Sequence, residues 1–205
     1  MKQIGLGIAQ YTQDYDERMP QSGVHYNGGI LGYQYLIQPY VKSTQLFKCP
    51  SNKSTKAAFN TGTPVASDGP ISAHYAGNFI SDDNSKPYMY ETGNTLGAFN
   101  SRDKAGIALS DFPTPSTTIS VWETTGDGRL AGVKLASPSA NSVDGKMFVG
   151  HLSTANYLYV DGHVKALRPE STLADGICQW YRKDQTNAVK VTLTDGIAQA
   201  NIDYP

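Results

Sequence analysis

The stretch GHLSTANYLYVDGHVKAL, residues 150–167, decides how this chain is read. Asp161-Gly162 sits between two alternating apolar runs, the sequence mark of a β-hairpin closed by a two-residue type I′ turn, in which both central residues need φ > 0. That turn sets Tyr159 opposite Val164 and Tyr157 opposite Ala166, one apolar side fit for burial. Leu158, Val160, His163 and Lys165 then take the other, mixed side. Nine residues separate His151 from Asp161.

Outward from the hairpin, TTISVWE at residues 117–123 reads as a strand, with Ile119 and Val121 alternating with Ser120 and Trp122. Residues 147–149 continue the sheet. At the other end of the chain, Ile4, Ile8, Tyr11 and Tyr15 recur at helical spacing and form one stripe of an amphipathic helix over residues 2–17. Gly5 and Gly7 each cost a helix interior about 1 kcal/mol relative to alanine, so this helix needs a surface to lie on, and a sheet is expected. Pro20 bars helix beyond about residue 18. A second helix is expected over about 31–41, ending near Pro39. From 52 to 105 the chain is mostly Gly, Ser, Thr, Asn, Asp and Pro and reads as long loops with small strands. Asp195-Gly196 marks a second hairpin, with Val189, Val191, Leu193, Ala198, Ala200 and Ile202 on one face.

A chain of 205 residues can bury one substantial core. Charged residues make up 17% and the net charge is −1, so there is no basic field to hold nucleic acid or an anionic membrane. Thirteen Tyr and twenty Gly, with many Ser, Thr and Asn, describe a loop-rich β protein with a polar, weakly charged surface. No apolar run approaches the ~20 residues that span a bilayer.

Several residues invite chemistry. His151, Asp161 and His163 carry metal-ligand groups, but the hairpin puts Asp161 at the turn tip and His151 well before the pairing, so a structural role is expected: His151 bonding a loop, Asp161 tolerating the left-handed region. Asp14, Asp16 and Glu17, or Asp82, Asp83 and Asn84, offer oxygens for calcium without the spacing of an EF-hand. A hydrolase lacks its marks: there is no GxSxG, no HExxH and no Cys-His pair recognisable by spacing, and His25, His74, His151 and His163 are scattered. Glu123 and the hairpin could bring two carboxylates together, which residue types alone do not support. Trp122, Trp180, Tyr88 and Tyr90 are expected to pack the sheet and subunit contacts. Cys49 and Cys178 have neither a CxxC spacing nor neighbouring histidines in sequence.

The His151 to Gly162 segment resembles the C-terminal mark of the bacterial pilin-like family named for its H-x9-DG domain, related to type IV pilins and type II secretion pseudopilins. Four further stretches match in order: KQIGLGIAQYTQDYDERMP (2–20), QYLIQPYVKSTQLFKCPS (34–51), AHYAGNFI (73–80) and PSTTISVWETTG (115–126). The match departs at Gly150, where arginine is common, and residues 171–205 run past the usual end.

The resemblance implies an α+β, pilin-like fold: an N-terminal helix packed on an antiparallel sheet, with long loops and a C-terminal β-hairpin extension. Residues 1–20 would be the end of the pilin helix and its exit loop, 21–170 the globular β domain and 171–205 a β extension packed on it. The apolar part of the helix would lie upstream of Lys2 and carry the membrane anchoring. An extracellular or cell-surface location follows, and with it an expected Cys49–Cys178 disulfide, which would stabilise by roughly 4 to 5 kcal/mol through loop closure. The implied role is assembly and not catalysis, without a cofactor, although related pseudopilins sometimes hold calcium in loops. The partners would be copies of itself or related pilins and the pilus or secretion machinery. The alternative is a cell-surface module that binds a glycan, calcium or a protein.

Overall fold

A computed structural model describes residues 1–26, 29–55, 71–79, 97–100, 104–125, 147–183 and 185–186. The amphipathic stripe forms helix α1 (Lys2–Asp14), and QYLIQPY lies in helix α2 (Tyr33–Val41). Between them β1 (Gly23–Tyr26) and β2 (Gly29–Gly32) pair antiparallel, Gly23 opposite Gly32. A second antiparallel sheet runs in chain order through β3 (Tyr75–Gly77), β4 (Ile119–Glu123), β5 (Ala155–Tyr159) and β6 (Val164–Leu167). The described fold is therefore mixed helix and antiparallel sheet.

Ile4, Ile8 and Tyr11 are buried in a cluster that joins α1 and α2 to Val121 and Leu158 of the sheet. Both helix glycines sit at close approaches. A Cβ on Gly5 would meet the Leu158 side chain at 2.9 Å, and one on Gly7 would meet Val41 Cγ1 at 2.4 Å. The helical propensity given up there lets α1 lie close to β5 on one side and α2 on the other. Tyr15 departs from the expected stripe. It is the residue after the last helical turn, 53% exposed, and stacks on Tyr11 at 4.1 Å between ring centres. Its backbone leaves the helix before the periodicity can carry it inward.

The exit loop is strapped down. The Met19 N–H donates to Ile107 O at 2.8 Å, Leu109 N–H to Glu17 O at 2.8 Å, and Arg18 Nη1 to Gly106 O at 2.9 Å. A Cβ on Gly106 would fall 1.9 Å from Met19 O, so no other residue fits this crossing without backbone movement. α2 in turn holds β3: Tyr33 Oη and Gln34 Nε2 both donate to Tyr75 O at 3.0 Å. It runs through Pro39 and ends at Val41, within the expected range of about 31–41, and begins at Tyr33 because residues 31–32 belong to β2.

The Asp161-Gly162 hairpin forms with a different register. Leu158 pairs with Val164 and Tyr157 with Lys165, one residue off the expected partners. The turn has three residues: Gly162 N–H donates to Tyr159 O at 3.0 Å, Tyr159 N–H to His163 O at 2.9 Å, and Gly162 has φ +89° while Asp161 is not left-handed. This is a type I turn followed by a left-handed glycine. Asp161 favours it by accepting the His163 N–H on Oδ1 at 3.2 Å.

The shift is absorbed because β5 is buried on both faces. Leu158 packs toward the helices, while Ala155, Tyr157 and Tyr159 join Trp122, Trp180 and Cys178 in a second cluster on the opposite face. β4 also serves both clusters through a bulge. Ile119 pairs with Tyr159 and Val121 with Leu158, leaving Ser120 as the extra residue. Ile119 and Trp122 therefore share one face and Val121 takes the other, whereas simple alternation puts Ile119 with Val121.

The second cluster is closed by the chain beyond the hairpin. A 3₁₀ segment, Pro169–Gly176, leads to Trp180, which is fully buried, donates its indole N–H to Thr172 Oγ1 at 2.8 Å and meets Trp122 edge to face at 5.7 Å. The buried Asn78 joins this segment to β4, donating to Ile119 O at 2.7 Å and Trp180 O at 2.8 Å. So the described part of 171–205 packs as 3₁₀ turns and coil, not as strand. The expected hairpin at 189–202 lies outside the described residues, as do Asp82, Asp83, Asn84, Tyr88 and Tyr90.

Candidate functional site

At the end of β4, on the helix side of the sheet, Glu123 turns its carboxylate into the protein, where it is 1% exposed. Val121 and Glu123 share that face by strand alternation, so the bulge at Ser120 also decides where this carboxylate points. Asn156 on β5 holds one oxygen: its backbone N–H and side-chain Nδ2 donate to Oε2 at 2.7 and 3.0 Å. The other oxygen, Oε1, lies 3.1 Å from His151 Nε2.

His151 reaches the carboxylate from the tight turn that precedes β5. His151 N–H donates to Thr154 O, Thr154 N–H and Oγ1 donate back to His151 O, and Leu152 and Ser153 take φ of +56° and +59°. Its ring rests edge to face on Phe148, 5.3 Å between centres. A Cβ on Gly150 would strike that phenyl ring at 2.3 Å, which accounts for glycine immediately before the histidine.

The third member is Cys49, 2% exposed, whose sulfur lies 3.5 Å from the same His151 Nε2. Its backbone is fixed by His74, which accepts the Cys49 N–H on Nδ1 at 2.9 Å and approaches Ser54 O with Nε2 at 3.0 Å. That carbonyl can only accept, so His74 carries its proton on Nε2 and is a neutral prop. Burial pushes the Cys49 thiol up, the backbone N–H groups of Ser51 and Asn52 pull it down, and the Glu123 carboxylate pushes it up again. Burial also raises the Tyr75 hydroxyl, which bonds Cys49 and feels the Glu123 charge.

Cys49, Glu123 and His151 thus bring a sulfur, an oxygen and a nitrogen within 4.8 Å of one another, the one such group among the described residues. Sequence reasoning found each residue inside a separate motif and missed the constellation, because 102 positions separate Cys49 from His151 and 28 separate His151 from Glu123. The hint that could have found it was that FKCPS, AHYAG, VWE and the histidine of the hairpin motif each contribute one polar group.

The other expectations fare differently. The disulfide is corrected: Cys49 and Cys178 are both free thiols, in clusters on opposite faces of the sheet. Asp161 and His163 pair with each other at 2.5 Å at the hairpin tip, where His163 also stacks on Tyr159, and neither joins His151. The Asp161-Gly162 turn instead borders a cavity of about 250 Å³ against α1, floored by Leu158 and Ser120. Asp14 accepts the Tyr40 hydroxyl at 2.8 Å, and it does not gather with Asp16 and Glu17 into a metal-ligating group.

No protein-family model, curated protein or solved structure matches this chain, so the resemblance to the H-x9-DG family rests on the ordered motifs themselves.

Proposed function

We propose that this chain is the globular part of an H-x9-DG pilin-like subunit, built into an extracellular filament or a secretion pseudopilus through a helix that continues upstream of α1. One observation carries the reading: α1 packs between α2 and an antiparallel sheet, with Ile4 and Ile8 buried, Gly5 against Leu158 of β5 and Gly7 against Val41 of α2, while Leu6 on its outer side is 64% exposed. A helix fixed to its domain along one face, with Leu6 standing among Gln3, Gln10 and Gln13 on the other, suits a rod shared between copies. Head-to-tail contacts of such copies generate open helical polymers when the rotation does not close.

The reading requires that the coding sequence upstream of Lys2 encode a short leader ending in glycine, then an acidic residue at the fifth mature position within an apolar run. It also requires surface filaments decorated by antibodies to the globular chain and lost on deletion of the gene. Cells that display the protein without filaments, together with a purified chain that saturably binds a glycan or a protein, would replace it with the cell-surface binding module.

A further inference from the structure

We propose that Cys49, Glu123 and His151 form a zinc(II) site with a solvent-reachable fourth position, which the filament reading neither uses nor requires.

Two of the three distances are those of a coordination shell. Tetrahedral zinc with bonds of about 2.3 Å to sulfur and about 2.0 Å to nitrogen or oxygen holds S and N about 3.5 Å apart and N and O about 3.3 Å apart. Here Sγ to Nε2 is 3.5 Å and Oε1 to Nε2 is 3.1 Å. The third edge, Sγ to a Glu123 oxygen, lies within 4.8 Å and would close to about 3.5 Å on a tetrahedral ion.

The directions exclude the obvious rival, a cysteine nucleophile activated by a histidine relay. In a relay the carboxylate holds one ring nitrogen and the nucleophile meets the other. Here sulfur and carboxylate oxygen approach the same nitrogen. One N–H cannot serve both well, whereas a lone pair on Nε2 aimed between them can bind an ion that all three share.

The surroundings prepare each ligand. The two Asn156 donors occupy Oε2 of Glu123 and leave Oε1 for the site. His74 fixes the Cys49 backbone. Thiolate, carboxylate and neutral imidazole carry two negative charges, so a divalent ion makes the buried centre neutral. A mixed S, N and O set suits zinc; calcium and magnesium prefer oxygen throughout. The imidazole side is open, with His151 at 29% exposure against 1% for Glu123, so a water completes the shell from there.

Cobalt(II) reports the thiolate directly. Titration of the metal-free, reduced 205-residue protein with cobalt should saturate at one equivalent, with a thiolate-to-cobalt charge-transfer band in the near ultraviolet that equimolar zinc removes. Cys178→Ser should keep the band, Cys49→Ser should lose it, and His151→Gln should weaken cobalt binding by about a hundredfold. The wild-type spectrum decides independently of whether any variant folds: no charge-transfer band at one equivalent overturns the site. A band that survives in Cys49→Ser, or disappears in a folded Cys178→Ser, overturns it too.

Discussion

Oε1 of Glu123 and Nε2 of His151 meet at 3.1 Å across the end of the sheet, a carboxylate inside the protein facing an imidazole at its boundary. The contact ties the end of β4 to the turn before β5, while the same carboxylate accepts both donors of Asn156. Glu123 is thus the hub of three segments.

Replacing that hub should be costly. Glu123→Ala strands the Asn156 N–H and leaves His151 without its partner, and it is expected to destabilise by about 3 kcal/mol. Glu123→Gln keeps the shape and one acceptor and should cost less. Urea unfolding of both variants measures the difference, and a cost under about 1 kcal/mol for the alanine variant would contradict the role given to this carboxylate.

Gly7 offers a test in which propensity and packing oppose each other. Alanine gains about 1 kcal/mol in an isolated helix. Here its Cβ would lie 2.4 Å from Cγ1 of Val41, a β-branched side chain with little freedom to turn aside. Overpacking of about 1 to 3 kcal/mol should win, so Gly7→Ala destabilises. In a Val41→Ala background the same change should cost at least about 1 kcal/mol less, a coupling that a double-mutant cycle on thermal or urea midpoints reads out.

Stability should fall on the alkaline side. Burial pushes the Cys178 thiol from 9.0 up to about 11, and burial followed by the Asp161 charge pushes the Tyr159 hydroxyl from 10.0 up to about 12. Between the unfolded and folded values the native state holds more protons than the unfolded chain, so unfolding free energy decreases as pH rises. These two groups leave stability flat below about pH 9. The thiol alone removes about 2 to 3 kcal/mol by pH 11. Urea midpoints measured from pH 8 upward should show the decline, and Cys178→Ala should flatten its first part.

The cluster around Trp180 should be as critical as the helix side. The indole is fully buried, touches Trp122 and Tyr157 edge to face, and donates to Thr172. Trp180→Ala should cost about 4 kcal/mol, a loss visible in the midpoint of calorimetric or urea unfolding. A near-neutral effect would mean that residues 177–181 are an accessory and not part of the core.

The amino-acid sequence by itself determined what periodicity and turn chemistry encode locally: α1 and its Ile4-Ile8-Tyr11 stripe, most of α2, the strand through Val121, and a hairpin at Asp161-Gly162. Asn27-Gly28, between β1 and β2, is a further hairpin mark of the same kind in the sequence. Tertiary structure alone decided the phase of the sheet. The extra Ser120 in β4 and the third residue in the hairpin turn each move side chains between faces, and they are tolerated because β5 is buried on both sides, so no single apolar alternation dictates the register. It also decided that Cys49, Glu123 and His151 share a site and that Cys49 and Cys178 do not. Spacing along the chain carries no distance between residues so far apart; only the closed sheet and the helices packed against it fix which groups meet.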